Sequence, residues 1–203
     1  MTTASVRDDL AFMKSVVEGS NASPALFGEL YMAGGLAYGL QTLGHWGQAL
    51  GVLNLSPLGG MALAIGPTIA FLAYLGWRLW AHRKTGTGGA TSRAIDAVFA
   101  AAGMTNIVLA AAIGLLATRE GSLAIWMLYP CVVFALQGAA WGVAYALRRR
   151  LWQGAVAMGW FTAAVILSLF IGSPTYVLVA ALSLLAFMFA PGAFILLSAR
   201  KAG

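Results

Sequence analysis

Long apolar runs alternate with short polar breaks along this chain, and the runs have the length of membrane crossings. Six stretches stand out: Pro24–Leu50, Pro57–Ala81, Ser92–Ala117, Ser122–Leu147, Leu151–Ile171 and Pro174–Ala199. At 1.5 Å of rise per residue, a helix over each is long enough for the roughly 30 Å of hydrocarbon in a bilayer. The pattern predicts an all-α polytopic membrane bundle of six transmembrane helices. Ahead of the first run, Leu10, Met13, Val16 and Val17 recur at helical spacing while Arg7, Asp8, Lys14 and Glu18 take other faces. That spacing predicts a short amphipathic surface helix. Residues 1–22 are therefore read as a cytoplasmic amphipathic segment, and residues 23–203 as the six-helix bundle.

Charge supplies the orientation. Arg7 and Lys14, then Arg83, Lys84 and Arg93, then Arg148, Arg149 and Arg150, and finally Arg200 and Lys201 fall on one side. The turns near Ser56, Ser122 and Ser173 carry only Arg119, offset by Glu120. Lys and Arg concentrate in short cytoplasmic loops, so both termini are expected inside a bacterial plasma (inner) membrane. Every even-numbered span opens with a serine and ends on basic residues. When Glu29, Asp96 and Gln153 are superposed, Ala33, Ala100 and Ala157 align, as do Gly35, Ala102 and Gly159. This pattern suggests three helical hairpins in one parallel orientation. The first twenty residues lack the basic start and apolar run of a signal peptide, so the first span is expected to be retained.

Composition closes off other classes. Hydrophobic residues make up 61% of 203 positions and charged ones 9%, against about a quarter charged in soluble proteins, which excludes a soluble fold. The net charge of +6 belongs to the topology signal, and no nucleic acid is expected. Arg83, Lys84, Arg148, Arg149 and Arg150 are instead the expected lipid-headgroup contacts. Cys131 is the single cysteine, so no intrachain disulfide can form. Trp46 and Trp126 fall near the outer interface, and Trp77, Trp80, Trp141 and Trp152 near the inner one, as aromatic belts require. Trp160 lies too deep for a belt and is expected between helices. Pro67, Pro130 and Pro191 fall inside spans, where each should kink its helix.

The first span carries the most chemistry. Tyr31, Gly34, Tyr38, Gln41, His45 and Gln48 follow spacings of three and four, which draws one stripe along a helix. Amide and imidazole groups cannot face lipid without losing hydrogen bonds, so the stripe is expected to face the interior, a wet cavity or another subunit. Tyr38, Gln41, His45 and Gln48, with the mid-span amides Asn106 and Gln137, are the candidate ligand-binding residues. A plain polar seam between helices is the alternative, with Asn106 and Gln137 as natural partners for each other. Glu29, Arg78 and Asp96 form a candidate cytoplasmic ion-pair cluster, with Glu29 on the side of its helix opposite Gln41 and His45. No Asp, Glu, Lys or Arg lies near the midplane, which argues against a proton relay or an ion-coupled transporter.

His45 and His82 belong at opposite ends of the bundle, so no metal or other cofactor is expected. Nucleophile, base and orienter cannot be assembled at one depth, so enzyme activity is not expected either. The loop from Lys84 to Gly89 is glycine-rich but lacks Walker spacing, and reads as a linker. Gly35-x-x-x-Gly39, Gly47-x-x-x-Gly51 and Gly138-x-x-x-Gly142 permit close helix contact within the bundle or between subunits.

Two functions fit these residues. The first is a small permease or ligand-binding bundle for an uncharged or weakly polar solute, with the stripe lining a cavity open to the outer face. The alternative is a non-transporting membrane sensor or accessory subunit that engages a partner through its N-terminal helix and basic loops; this reading requires a closed bundle. Membrane lipids are the expected partners, with a second copy of the chain, a small solute and a cytosolic protein as further candidates.

Overall fold

The computed structural model describes residues 22–83 and 89–202. The amphipathic segment ahead of them and Lys84 lie outside the described residues. The order is α1 (Ala22–Ala49), α2 (Pro57–His82), α3 (Ala90–Glu120), α4 (Leu123–Arg148) and α5 (Leu151–Leu169), followed by one long final rod. That rod consists of α6 (Pro174–Leu184), a π-helical turn (Leu185–Phe189) and α7 (Ala190–Ala202). Local chemistry sets the ends. Ser56 caps α2 by accepting the Gly59 N–H at 3.2 Å, with Pro57 in the first turn. Gly121 ends α3 in the left-handed region at φ 61°. Arg149 takes the same region at φ 54°, and its N–H closes α4 on the Tyr145 carbonyl at 2.7 Å. Ser173 precedes α6 without capping it, because its hydroxyl donates back to the Phe170 carbonyl at 2.9 Å.

Five helical segments are long and apolar enough to cross a membrane: Pro57–His82, Ala90–Glu120, Leu123–Arg148, Leu151–Leu169 and Pro174–Lys201. The sixth expected crossing, α1, is 28 residues long but is not among them. Length is not what it lacks. Glu29, Gln41, His45 and Gln48, with six glycines, dilute its apolar character.

Glycine determines how α1 packs. Gly28 meets Gly192 and Leu196, Gly35 meets Phe189, and Gly39 meets Leu185, so α1 runs antiparallel to the final rod. A Cβ at Gly28 would lie 2.7 Å from the Leu196 backbone nitrogen; only glycine admits that approach. The expected kink at Pro191 takes the form of the π-helical turn just before it. Proline has no N–H to give the previous turn, and the ladder shifts so that the Ala190 N–H reaches Leu185 O, five residues back. From α1 and the final rod the packing continues through α5 and α4 to α3, while α2 rests chiefly on α1. The core therefore sits among α1, α4, α5 and the final rod, with Tyr31, Phe134, Trp141, Trp160, Leu167 and Tyr176 buried. Trp160 packs between Phe134 and Phe187, at 4.7 and 5.9 Å between ring centroids. Among its described residues α2 buries none, and α3 buries only Ile95.

Candidate functional site

The stripe on α1 divides between two neighbours. Its inner part, Tyr31, points into the core. The Trp141 Nε1 donates to the Tyr31 hydroxyl at 2.7 Å, and that hydroxyl donates to Gln137 Oε1 at 3.1 Å. Phe27, Phe99 and Trp141 surround the Tyr31 ring at 5.5 to 5.7 Å. The outer part turns to α2. Tyr38 stacks edge-on against Phe71 at 5.5 Å, and the Gln41 Nε2 donates to the Ala64 carbonyl at 2.7 Å. His45 Nδ1 lies 3.0 Å from Gln48 Oε1 on the same helix. Gln41, His45 and Gln48 are half-buried.

The mid-span amides bond tyrosines. Asn106 and Gln137 were expected to satisfy each other, but Asn106 accepts from the Tyr129 hydroxyl at 2.7 Å and Gln137 from Tyr31. A tyrosine reaches further from its backbone than an amide does, so it bridges helices that two amides cannot. Trp141 was expected in the inner aromatic belt; it is 1% exposed, held in the core by its bond to Tyr31.

Of the ionic candidates, Glu29 and Arg78 come together at 2.5 Å, and the Tyr74 hydroxyl also donates to Glu29. Because Glu29 and Gln41 both reach α2, they do not lie on opposite sides of α1. Tyr74 and Arg78 reach Glu29 with their side chains, and the Ala64 backbone carbonyl receives Gln41. Asp96 lies on the wall of a cavity with Arg148. Of the headgroup candidates, Arg83 lies over the Trp80 ring at 4.4 Å, and the Arg148 Nη2 donates to Ser92 Oγ at 3.0 Å. Arg149 and Arg150 are exposed in the turn between α4 and α5.

Two cavities bear on function. One, of about 20 Å³, lies at the basic end and is lined by Asp96, Phe99, Trp141, Arg148 and Gln153, among others. The second is an open apolar groove of about 710 Å³ between the end of α3 and the start of α4, against Gly114 and Trp126. Neither is lined by Tyr38, Gln41, His45 or Gln48. Gln153 was not among the candidate site residues. Its signal in the sequence was its register with Glu29 and Asp96, a polar residue soon after the start of an odd-numbered span.

Together these features define the class: an integral, multi-pass membrane protein built as a helical bundle. Comparison with protein-family models, curated proteins and solved structures gives no match.

Proposed function

We propose that this protein is a non-transporting membrane subunit or sensor that binds a partner at its basic end. The observation that carries this reading is the closed centre. Trp141 donates to the buried Tyr31 hydroxyl, which in turn donates to half-buried Gln137, where a solute path would need open polar groups. Gln41 bonds an α2 carbonyl, and neither of the two cavities touches the stripe.

The topology belongs to the same proposal. The polar face of α1 is directed at protein, so α1 can serve as a sixth crossing beside the five apolar segments. The pairs α1 with α2, α3 with α4 and α5 with the final rod would then form three hairpins, with both termini in the cytoplasm of a bacterial cell. Arg83, Lys84 and Arg148 to Arg150 would lie at the inner headgroups. Single cysteines at Asn54, Gly121 and Ser173, in a Cys131→Ala background, are expected to react with an impermeant maleimide on intact cells. A cysteine at Thr87 is expected to react only after permeabilisation, and its labelling in intact cells would reverse the orientation.

One observation favours the permease as a second reading: Gln41, His45 and Gln48 are only half-buried, far along α1 from the basic end. Osmotic swelling separates the two. Proteoliposomes shrunk in urea, glycerol or erythritol are expected to re-swell no faster than protein-free vesicles. Faster re-swelling that is slowed by His45→Leu would establish transport through the stripe.

A further inference from the structure

The cavity at the basic end holds a buried group left without a partner. Its walls come from the first turns of α1, α3 and α5, the last turns of α4, and α7. Gln153 is 2% exposed, and its Oε1 has no hydrogen-bond donor among the described residues. A buried acceptor without a donor is a costly feature for a fold to keep. Asp96 contributes a carboxylate to the same wall. Phe27, Phe99 and Trp141 present an aromatic corner, with ring centroids 4.8 to 6.3 Å apart. An amide oxygen, a carboxylate and aromatic rings together suit a small cation that can donate hydrogen bonds. Half-buried Arg148, also on the wall, adds the opposite chemistry, a guanidinium suited to a phosphate.

Size narrows the cation. A cavity needs roughly 10–15 Å³ to hold one water, so about 20 Å³ admits a water-sized ammonium and rejects a trimethylammonium. We propose that this cavity binds the primary ammonium of a phosphoethanolamine group, with Gln153 Oε1 and the Asp96 carboxylate accepting its N–H bonds and Arg148 meeting its phosphate. A bare phosphate would be repelled by Asp96, and a bare cation by Arg148. A zwitterion with its two charges a few bonds apart satisfies both. The group can come from a phosphatidylethanolamine headgroup at the membrane surface or from a soluble phosphoethanolamine. The inference does not depend on whether the bundle transports.

The test is native mass spectrometry of the delipidated, detergent-purified full-length protein. It is titrated separately with phosphatidylethanolamine, phosphatidylcholine and phosphatidylglycerol of one chain length, and with soluble phosphoethanolamine. Wild type is expected to bind phosphatidylethanolamine at least about tenfold more tightly than either other lipid, a difference of about 1.4 kcal/mol. Binding of soluble phosphoethanolamine as well would identify a free solute as a second source of the same group. Gln153→Leu removes the orphan acceptor at similar size, so it is expected to fold and to raise the melting temperature while erasing the preference. Gln153→Glu keeps the acceptor and should keep the preference, and Arg150→Gln on the exposed turn should leave it unchanged. The proposal is overturned if the three lipids bind alike and phosphoethanolamine does not bind, which would leave water as the occupant. It is also overturned if the preference survives Gln153→Leu.

Discussion

Gly35→Leu is expected to destroy the folded bundle, the largest loss of any single substitution in this chain. A Cβ on Gly35 would stand 2.7 Å from the Phe189 Cα and 2.8 Å from the Met188 carbonyl carbon. These are backbone atoms of the π-helical turn, which cannot rotate aside as a side chain can. The same contact recurs at Gly192, where a Cβ would stand 2.7 Å from the Met32 Cα. Ordinary overpacking costs about 1–3 kcal/mol; here α1 and the final rod would have to separate along much of their shared length. In a membrane, close packing rather than water exclusion holds helices together, so the whole interface depends on that approach. The loss is expected to exceed about 3 kcal/mol, read as aggregation on size exclusion in detergent or as collapse of the melting temperature. Gly76→Leu is the control, because a Cβ there meets nothing within 4 Å, and it should change stability by less than about 0.5 kcal/mol. A Gly35→Leu protein that melts with the wild type would refute the close approach of α1 to the final rod.

Helix existence was legible in the sequence because it depends on local hydropathy. The run expected over Ser92–Ala117 became α3 over Ala90–Glu120, since nothing before Gly121 forces the chain out of a helix. Azimuth and neighbour order were harder to read. Depth along the span suggested that Asn106 and Gln137 meet, yet the order of helices around the bundle gives each a different tyrosine. The stripe from Tyr31 to Gln48 is continuous in sequence, but α1 touches more than one neighbour. A seven-residue repeat also drifts about 20° per heptad on a straight helix. Tyr31 therefore enters the core beside α4, while Gln41 meets α2. Glu29 and Gln41 are twelve residues apart, about 120° around a helix. That angle is small enough for Tyr74 and Arg78 to reach Glu29 from the helix that also receives Gln41. The orphan state of Gln153 Oε1 could not be read at all, since it depends on what α3, α4 and α7 bring to its surroundings.

The second large effect is expected at Trp141, which joins the aromatic core to the polar network. Its ring is 1% exposed and lies 5.5 Å from each of Tyr31, Phe99 and Trp152, while its Nε1 donates to the Tyr31 hydroxyl at 2.7 Å. Trp141→Ala would open a cavity among four helices and remove a donor, at a cost of about 3–5 kcal/mol. Tyr31→Phe isolates the polar share. It keeps the ring but strands the Trp141 N–H and the Gln137 Oε1, so about 1–3 kcal/mol is expected. Adding Gln137→Leu to Tyr31→Phe should then recover part of that loss, because an acceptor with no donor is replaced by an apolar group that needs none. Chemical unfolding of Tyr31→Phe, Gln137→Leu and the double variant in mixed micelles measures the coupling as a thermodynamic cycle, with Trp141→Ala measured beside them. If Tyr31→Phe and Gln137→Leu prove independent of each other, the hydrogen-bonded centre is not what closes this bundle, and the argument against a solute path loses its main support.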